Sequence, residues 1–294
     1  MKFNHAIGAI GKTPMVKIKK LNPNPRVEIF AKLEGGNPGG SVKDRVAKMM
    51  IEEAERKGLL GKEKTIIEAT SGNTGIGLAM ITALKGYRFI AVLPGSVSLE
   101  RKNILKAYGA KIVLSPSGEG TNGAIKLAKK MLKENLSYLM LDQFNNPANV
   151  LAHFLTTGQE IIDDLPAVDA FVAGMGTGGT LMGVGQRLRK ANPGIKIIGV
   201  EPYPNSKILG LRNMQAYTPS IYAPSKIDSK IMVKDKVAFD LASQLFSKEG
   251  LSVGISSGAA LWGAIELAKK MRKGVIVTIF PDRGDRYLST RLFR

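Results

Sequence analysis

Five short segments of this 294-residue sequence combine residue types and spacings that could do chemistry. In the first, Gly39-Gly40-Ser41-Val42-Lys43-Asp44-Arg45, a glycine loop runs into a helical pattern. Ser41 and Asp44 have capping-box spacing, which predicts a helix beginning near Ser41. Lys43 then stands in the first helical turn, where a cation opposes the helix dipole and the neutral amine is favoured. A neutral lysine amine is the group that condenses with a carbonyl. A lone lysine at a helix start is, however, more often simply solvated.

The second segment, Glu68-Ala69-Thr70-Ser71-Gly72-Asn73-Thr74-Gly75, follows an apolar run and opens another helical pattern. Backbone N–H groups at such a start, with three hydroxyls and an amide, form a neutral cradle for a carboxylate or phosphate. The third, Gly174-Met175-Gly176-Thr177-Gly178-Gly179-Thr180, lets a phosphate approach the backbone at a helix N-terminus. It also satisfies G-x-G-x-x-G through Gly174, Gly176 and Gly179, with Glu201 about twenty residues on, so a dinucleotide site in an NAD-dependent oxidoreductase is a rival reading. In the fourth, Val253-Gly254-Ile255-Ser256-Ser257-Gly258, either serine serves as a helix cap or a ligand contact. The fifth, Pro281-Asp282-Arg283-Gly284-Asp285-Arg286-Tyr287, reads as an ion-paired turn after the last strand.

The elements that must position these segments follow from hydrophobic pattern. Buried parallel strands are expected at Val27–Leu33, Thr65–Glu68, Phe89–Leu93, Lys111–Leu114, Tyr138–Leu141, Ala170–Ala173, Lys196–Glu201 and Val275–Phe280. Helical patterns lie between them at Asp44–Arg56, Asn73–Leu84, Leu99–Ala107, Asn122–Leu132, Ala148–Ile162, Thr180–Arg189, Val237–Ser247 and Gly258–Met271. The alternation predicts an α/β fold of doubly wound open sheets, with ligands in the crevice at the strand C-termini. A turn at Asn145-Asn146-Pro147 and an irregular stretch from Pro202 to Ser229 point to two lobes.

Composition narrows the chemistry. No cysteine is present, which excludes thiol nucleophiles and Cys-ligated clusters, and two histidines, His5 and His153, are too few and too separated for the usual zinc site. No protein metal site is expected. The charge balance, 43 Lys plus Arg against 24 Asp plus Glu, invites a nucleic-acid reading. The basic residues cluster instead at predicted helix C-termini, as in Lys126, Lys129, Lys130 and Lys133, without interleaved aromatics. No nucleic-acid partner is therefore expected, while attraction of anionic substrates is compatible. No apolar run approaches the ~18 residues of a membrane span, and the N-terminus lacks the apolar stretch of a secretion signal. A cytoplasmic protein without a membrane partner is the expectation. G-x-x-x-x-G-K-[ST], G-x-S-x-G and H-E-x-x-H are all absent, which argues against P-loop, α/β-hydrolase and zincin chemistry.

Taken jointly, in this order and spacing, Asn37–Arg45, Thr70–Gly75, Gly176–Thr180 and Gly254–Gly258 resemble the cysteine synthase family of pyridoxal-phosphate (PLP) enzymes. The ending Asp282-Arg283-Gly284-Asp285-Arg286-Tyr287-Leu288-Ser289-Thr290 is similar to its B-type members. The resemblance implies a tryptophan-synthase-β-like fold with PLP in the cleft between two doubly wound lobes. A smaller lobe would cover residues 1–144, about 13–34 of them crossing to the larger sheet, and a larger lobe residues 145–294. Lys43 would be the Schiff-base lysine and the base on the substrate Cα–H. Thr70, Ser71, Gly72, Asn73 and Thr74 would grip the substrate carboxylate with Gln143, and Asn73 would also reach the cofactor ring hydroxyl. Gly176, Thr177, Gly178, Gly179 and Thr180 would hold the cofactor phosphate, and Ser256 would face the pyridine nitrogen.

The implied reaction is β-replacement on O-acetyl-L-serine or O-phospho-L-serine, through an α-aminoacrylate, with sulfide or another sulfur donor giving L-cysteine. Arg212 resembles a phosphate-binding arginine of the phosphoserine-using members, and the two esters stand even. Cystathionine or lanthionine formation and sulfide release are related alternatives. A homodimer is implied by resemblance alone.

Overall fold

The central apolar runs become strands covered on both faces. The computed structural model describes residues 2–70, 72–215 and 217–293. The first half contains strands β1 (Met15–Ile18), β2 (Val27–Leu33), β3 (Thr65–Ala69), β4 (Arg88–Pro94), β5 (Lys111–Ser115) and β6 (Tyr138–Met140), with helices α1 (Lys43–Arg56), α2 (Asn73–Lys85), α3 (Leu99–Ala107) and α4 (Gly120–Glu134). The second half adds α5 (Pro147–Ala152), α6 (Gly158–Asp164), β7 (Ala170–Gly174), α7 (Gly179–Ala191), β8 (Lys196–Pro202), β9 (Ser229–Val233), α8 (Asp235–Glu249), α9 (Ile255–Ala268) and β10 (Gly274–Phe280).

Two sheets result. The smaller has the order β5-β4-β3-β6, all parallel. The larger has the order β1-β2-β10-β7-β8-β9, parallel except for the antiparallel β1–β2 pair. Period-2 alternation explains how each strand serves two cores. On β7, Ala170 and Val172 pack with α8 and α9, while Phe171 and Ala173 pack with α7. On β3 and β4, Ile66, Phe89 and Ala91 face α1 and α2, while Ile67, Ile90 and Val92 face α4. Among the described residues no helix is long and apolar enough to cross a membrane.

A buried ion cluster fixes α1, the helix that presents Lys43. The Arg45 guanidinium meets Glu34 through Nε (2.7 Å) and Glu160 through Nη1 (2.6 Å), and Glu160 also pairs with the fully buried Lys32 (2.9 Å). Thr13 and Asn37 donate to the Glu34 carboxylate at 2.7 and 2.9 Å. Four separate stretches, the N-terminal segment, β2, α1 and α6, are thereby tied at one point.

Four details depart from the pattern reading. The helix expected over Ala148–Ile162 is α5 and α6 joined by a π-helical turn, His153–Thr157. The Thr156 hydroxyl bonds back to the Ala152 carbonyl (2.6 Å), a contact that bends helices, and the wide turn aims His153 inward. Strands β1 and β9 were not expected, because they are short edge strands bearing lysines, and β1 breaks the all-parallel expectation. The last predicted helix, Gly258–Met271, begins three residues earlier, at Ile255. Helix α1 begins at Lys43 rather than near Ser41: Ser41 Oγ accepts from the Lys43 N–H (3.2 Å), but Asp44 reaches back to the Gly39 N–H (2.6 Å), leaving no reciprocal box.

Candidate active site

A cleft of about 250 Å³ opens where the C-terminal ends of both sheets face each other, lined by the loops after β3, β7 and β10 and the starts of α1 and α9. Lys43 lies in its wall. Burial away from water brings the Lys43 amine down to about 8, against the opposing pull of the nearby Asp282 and Glu34 carboxylates. The direction is the one expected from its place in the first turn; burial is the dominant cause.

The loop after β3 brings Thr70, Gly72, Asn73 and Thr74 to the cleft. Ser71 lies outside the described residues. Thr70 Oγ1 accepts from the N–H groups of both Gly72 and Gly75 (3.1 Å each), so its hydroxyl proton remains to be donated outward. Two of the amides expected in the anion cradle are thus capped internally, leaving, among the described residues, those of Asn73 and Thr74. Gln143, buried beside this loop, donates to the Ala69 carbonyl (3.0 Å) and accepts from the Thr74 hydroxyl (2.6 Å). Its backbone N–H donates to Glu68 (3.0 Å), whose carboxyl burial pushes up to about 8.

Across the cleft, Gly176, Thr177, Gly178 and Thr180 line the wall, with Gly179 just behind them. A Cβ on Gly176 would collide with the Gly210 carbonyl oxygen, and one on Gly179 with Asn149 Oδ1. Gly178 has φ +87°, the left-handed region. Thr177 Oγ1 accepts from Asn149 Nδ2 (3.0 Å) and the Gly179 N–H (3.3 Å), so its proton too is left to point at a ligand. Thr180 Oγ1 contacts His153 Nε2 (3.1 Å), and His153 Nδ1 contacts Thr157 (3.0 Å). Burial, with Lys43 and Arg45 close by, keeps His153 neutral, so the ring spans the two hydroxyls with one donor and one acceptor. Glycine backbone, the outward Thr177 hydroxyl, the Thr180 hydroxyl beside it and a helix start make a site that fits a phosphate.

Ser256, on the first turn of α9, lines the cleft, and Ser257 does not. Arg212 lies at the cleft with its guanidinium 4.8 Å from the ring centroids of both Phe144 and Tyr217. Its Nη1 is buried and has no hydrogen-bond partner among the described residues. Glu201, the acidic residue of the dinucleotide reading, is already engaged: its carboxylate accepts from the Met214 N–H (2.6 Å) and pairs with Lys230 (2.9 Å). Buried and absent from the cleft lining, it does not face the glycine turn's ligand space, and the dinucleotide reading is set aside.

Four residues that sequence reasoning did not place complete the site. Asn149 and His153 carry a legible signal, two polar residues four apart in an apolar helical pattern, which puts both on one face. Asp282 and Arg286, in the loop read as an ion-paired turn, bond Asn73 instead of each other.

Residues 7–282 match the family model described as "Pyridoxal-phosphate dependent enzyme". The chain is 49% identical to the cysteine synthase of Aquifex aeolicus, over 97% of this chain and 90% of that one. It is 44% identical to cysteine synthase B of Escherichia coli, over 97% and 94%. The crystal structure of the O-acetylserine dependent cystathionine beta-synthase from Helicobacter pylori superposes with a TM-score of 0.95 at 37% identity, covering 100% of both chains.

Proposed function

The chain belongs to the family of pyridoxal-phosphate dependent enzymes, and from that premise we propose which of its residues form cysteine and how. Its cofactor is pyridoxal 5′-phosphate, and its reaction is β-replacement on an activated L-serine to give L-cysteine. One observation supports the residue assignment above all: Lys43, Asn73, the Gly176–Thr180 turn and Ser256, from four separate elements, converge on one cleft.

Bound there, the cofactor supplies a carbonyl for an amine to condense with and a ring that takes up the electron pair of a broken Cα–H bond. Lys43 holds it at rest, then receives the Cα proton at Nζ; an amine brought down to about 8 is neutral often enough near neutral pH to do so. The Thr177 and Thr180 hydroxyls and the backbone from Gly176 to Gly179 hold the phosphate. The Thr70 hydroxyl, the Asn73 and Thr74 amides, Ser71 and Gln143 bind the substrate carboxylate. The Asn73 side chain meets the ring hydroxyl, and Ser256 meets the ring nitrogen.

Arg212 favours O-phospho-L-serine over O-acetyl-L-serine. A half-buried guanidinium set against the Phe144 and Tyr217 rings, with one buried terminal nitrogen unpartnered among the described residues, is suited to an anionic leaving group. Sulfide completes the reaction. A homodimer, a cytoplasmic location and a division into lobes at residues 144 and 145, the smaller closing over substrate, are part of the same proposal.

The visible absorption of the purified protein tests the assignment. A yellow band is expected that changes on adding one of the two esters, returns on adding sulfide, and is missing from Lys43→Ala. A colourless protein that PLP does not reconstitute would sink it. Arg212→Ala is expected to lower kcat/KM for O-phosphoserine by roughly ten- to hundredfold, the loss of a charge-assisted hydrogen bond, while changing that for O-acetylserine little. Equal losses for both esters would remove Arg212 from the leaving-group site. Gly176→Ala, which drives a methyl against Gly210, is expected to weaken PLP binding by about tenfold or more in equilibrium dialysis, with fold retained. Since the Helicobacter pylori neighbour is described as a cystathionine synthase, homocysteine in place of sulfide is the substrate that separates that alternative.

A further inference from the structure

Asp282 sits at the joint of three elements that carry the proposed site. Its residue pairs with Ser41 in an isolated antiparallel bridge, the neighbouring Pro281 carbonyl accepts from the Val42 N–H (2.8 Å), and its own carbonyl accepts from the Gly254 N–H (3.1 Å). The loop after β10 is thus stapled to the segment before Lys43 and to the start of the helix bearing Ser256.

The side chain is 1% exposed. Its Oδ2 accepts from Asn73 Nδ2 (2.7 Å) and from the Tyr287 hydroxyl (2.8 Å). The other end of the Asn73 amide accepts from Arg286, which also donates to the Gly39 carbonyl. A reversed amide would set carbonyl against carboxylate and NH₂ against guanidinium, so Asn73 has one orientation only. Its second N–H is not taken up by Asp282.

Hydrogen bonding alone does not require a carboxylate here. Burying an anion is costly, and a neutral amide oxygen would accept the same two donors. Among the described residues Asp282 forms no ion pair, its backbone bridge to Ser41 sets it beside the segment that leads into Lys43, and its carboxylate is one of the two that act on the Lys43 amine.

We propose that Asp282 is a positioning residue of the cysteine-forming site, locking the Asn73 amide in place and supplying the counter-charge of the Lys43 ammonium. The proposal rests on Lys43 being the cofactor-bearing lysine. The other groups around Lys43 are accounted for: Glu34 acts in the same sense as Asp282 but is engaged by Arg45, His153 on the π-helical turn is neutral, and Arg286 is bound to Asn73 and Gly39.

The test is competitive labelling of the full-length, PLP-stripped protein with a trace of acetic anhydride between pH 6 and 11, read at the Lys43 peptide by mass spectrometry. Asp282→Asn keeps an acceptor for Asn73 and Tyr287 but removes the charge. Its Lys43 midpoint is expected below the wild-type value of about 8, with labelling at pH 7.5 raised roughly threefold and the high-pH plateau unchanged. Asp282→Ser, a smaller uncharged acceptor, is expected to move the midpoint the same way, and Tyr287→Phe, which leaves the charge, is not. An unmoved midpoint in both Asp282 variants overturns the proposal. Loading with PLP should protect Lys43 in the wild type; labelling that persists there would overturn the assignment of Lys43 itself, and the proposal with it.

Discussion

Replacing Lys43 by methionine is expected to reduce cysteine formation about a thousandfold or more and, at the same time, to make the cofactor-free protein more stable. Both effects have one origin. The folded protein holds the Lys43 amine at about 8, against 10.5 for an ordinary lysine, because the side chain has left water. A folded-state value below the unfolded one means that the unfolded chain binds the proton more tightly between those two values. Wild-type stability therefore rises with pH through that window, and below it the protein carries the full cost of charging a buried amine, at most about 3 kcal/mol. Methionine keeps the apolar stem and removes the charge. Urea unfolding at pH 7 is expected to show the variant more stable by up to about 3 kcal/mol, with the difference closing towards pH 10.5. A variant less stable than wild type at pH 7 would mean that the ammonium is well paired in the folded state, contrary to the desolvation argument.

Arg45→Met is expected to do the opposite, lowering stability by about 3–5 kcal/mol, because it leaves the fully buried Glu34 carboxylate without its partner. Pairing with Arg45 and hydrogen bonding hold Glu34 below its usual range despite burial, and bring Glu160 down to about 2. For carboxylates lowered on folding, the stability is present above the unfolded value near 4.5 and is lost as pH falls towards the folded one. The deficit of Arg45→Met relative to wild type should therefore be largest near neutral pH and shrink as pH falls below about 4.5, and calorimetry across pH 3–7 reads both effects. Adding Glu34→Gln, which removes the stranded charge, is expected to recover part of the loss. A loss below about 1 kcal/mol would show the cluster to be solvated, with only surface-pair strength.

What the sequence revealed of this molecule divides along physical lines. Interior strands such as β4 and β10 are legible because they are buried on both faces and read as unbroken apolar runs. Edge strands β1 and β9 hide because their outer faces carry lysine and serine. The π-helical turn escapes a pattern reading because an apolar period does not register one extra residue in a turn. Within the site, glycine and hydroxyl spacing exposes the turns proposed to bind anions. The bonds of Asp282 and Arg286 to Asn73 join residues more than two hundred positions apart, and no local spacing encodes them. Loop order alone left two serines equivalent, and the helical phase of α9 chooses Ser256.

The strand order of the larger sheet also bears on how the molecule comes into being. β10 lies between β2 and β7, so the middle of that sheet is filled by the last of the described strands to be synthesised. The smaller sheet draws on one contiguous stretch, from β3 to β6, so its pairings close well before the chain is complete. Vectorial synthesis therefore favours an order in which the first sheet assembles while β2 waits, its inner edge open, for a partner nearly a whole chain away. An open apolar edge of that kind invites pairing with a neighbouring nascent chain. A molecular chaperone that shields β2 during translation would raise the yield of active protein more than its final stability would suggest.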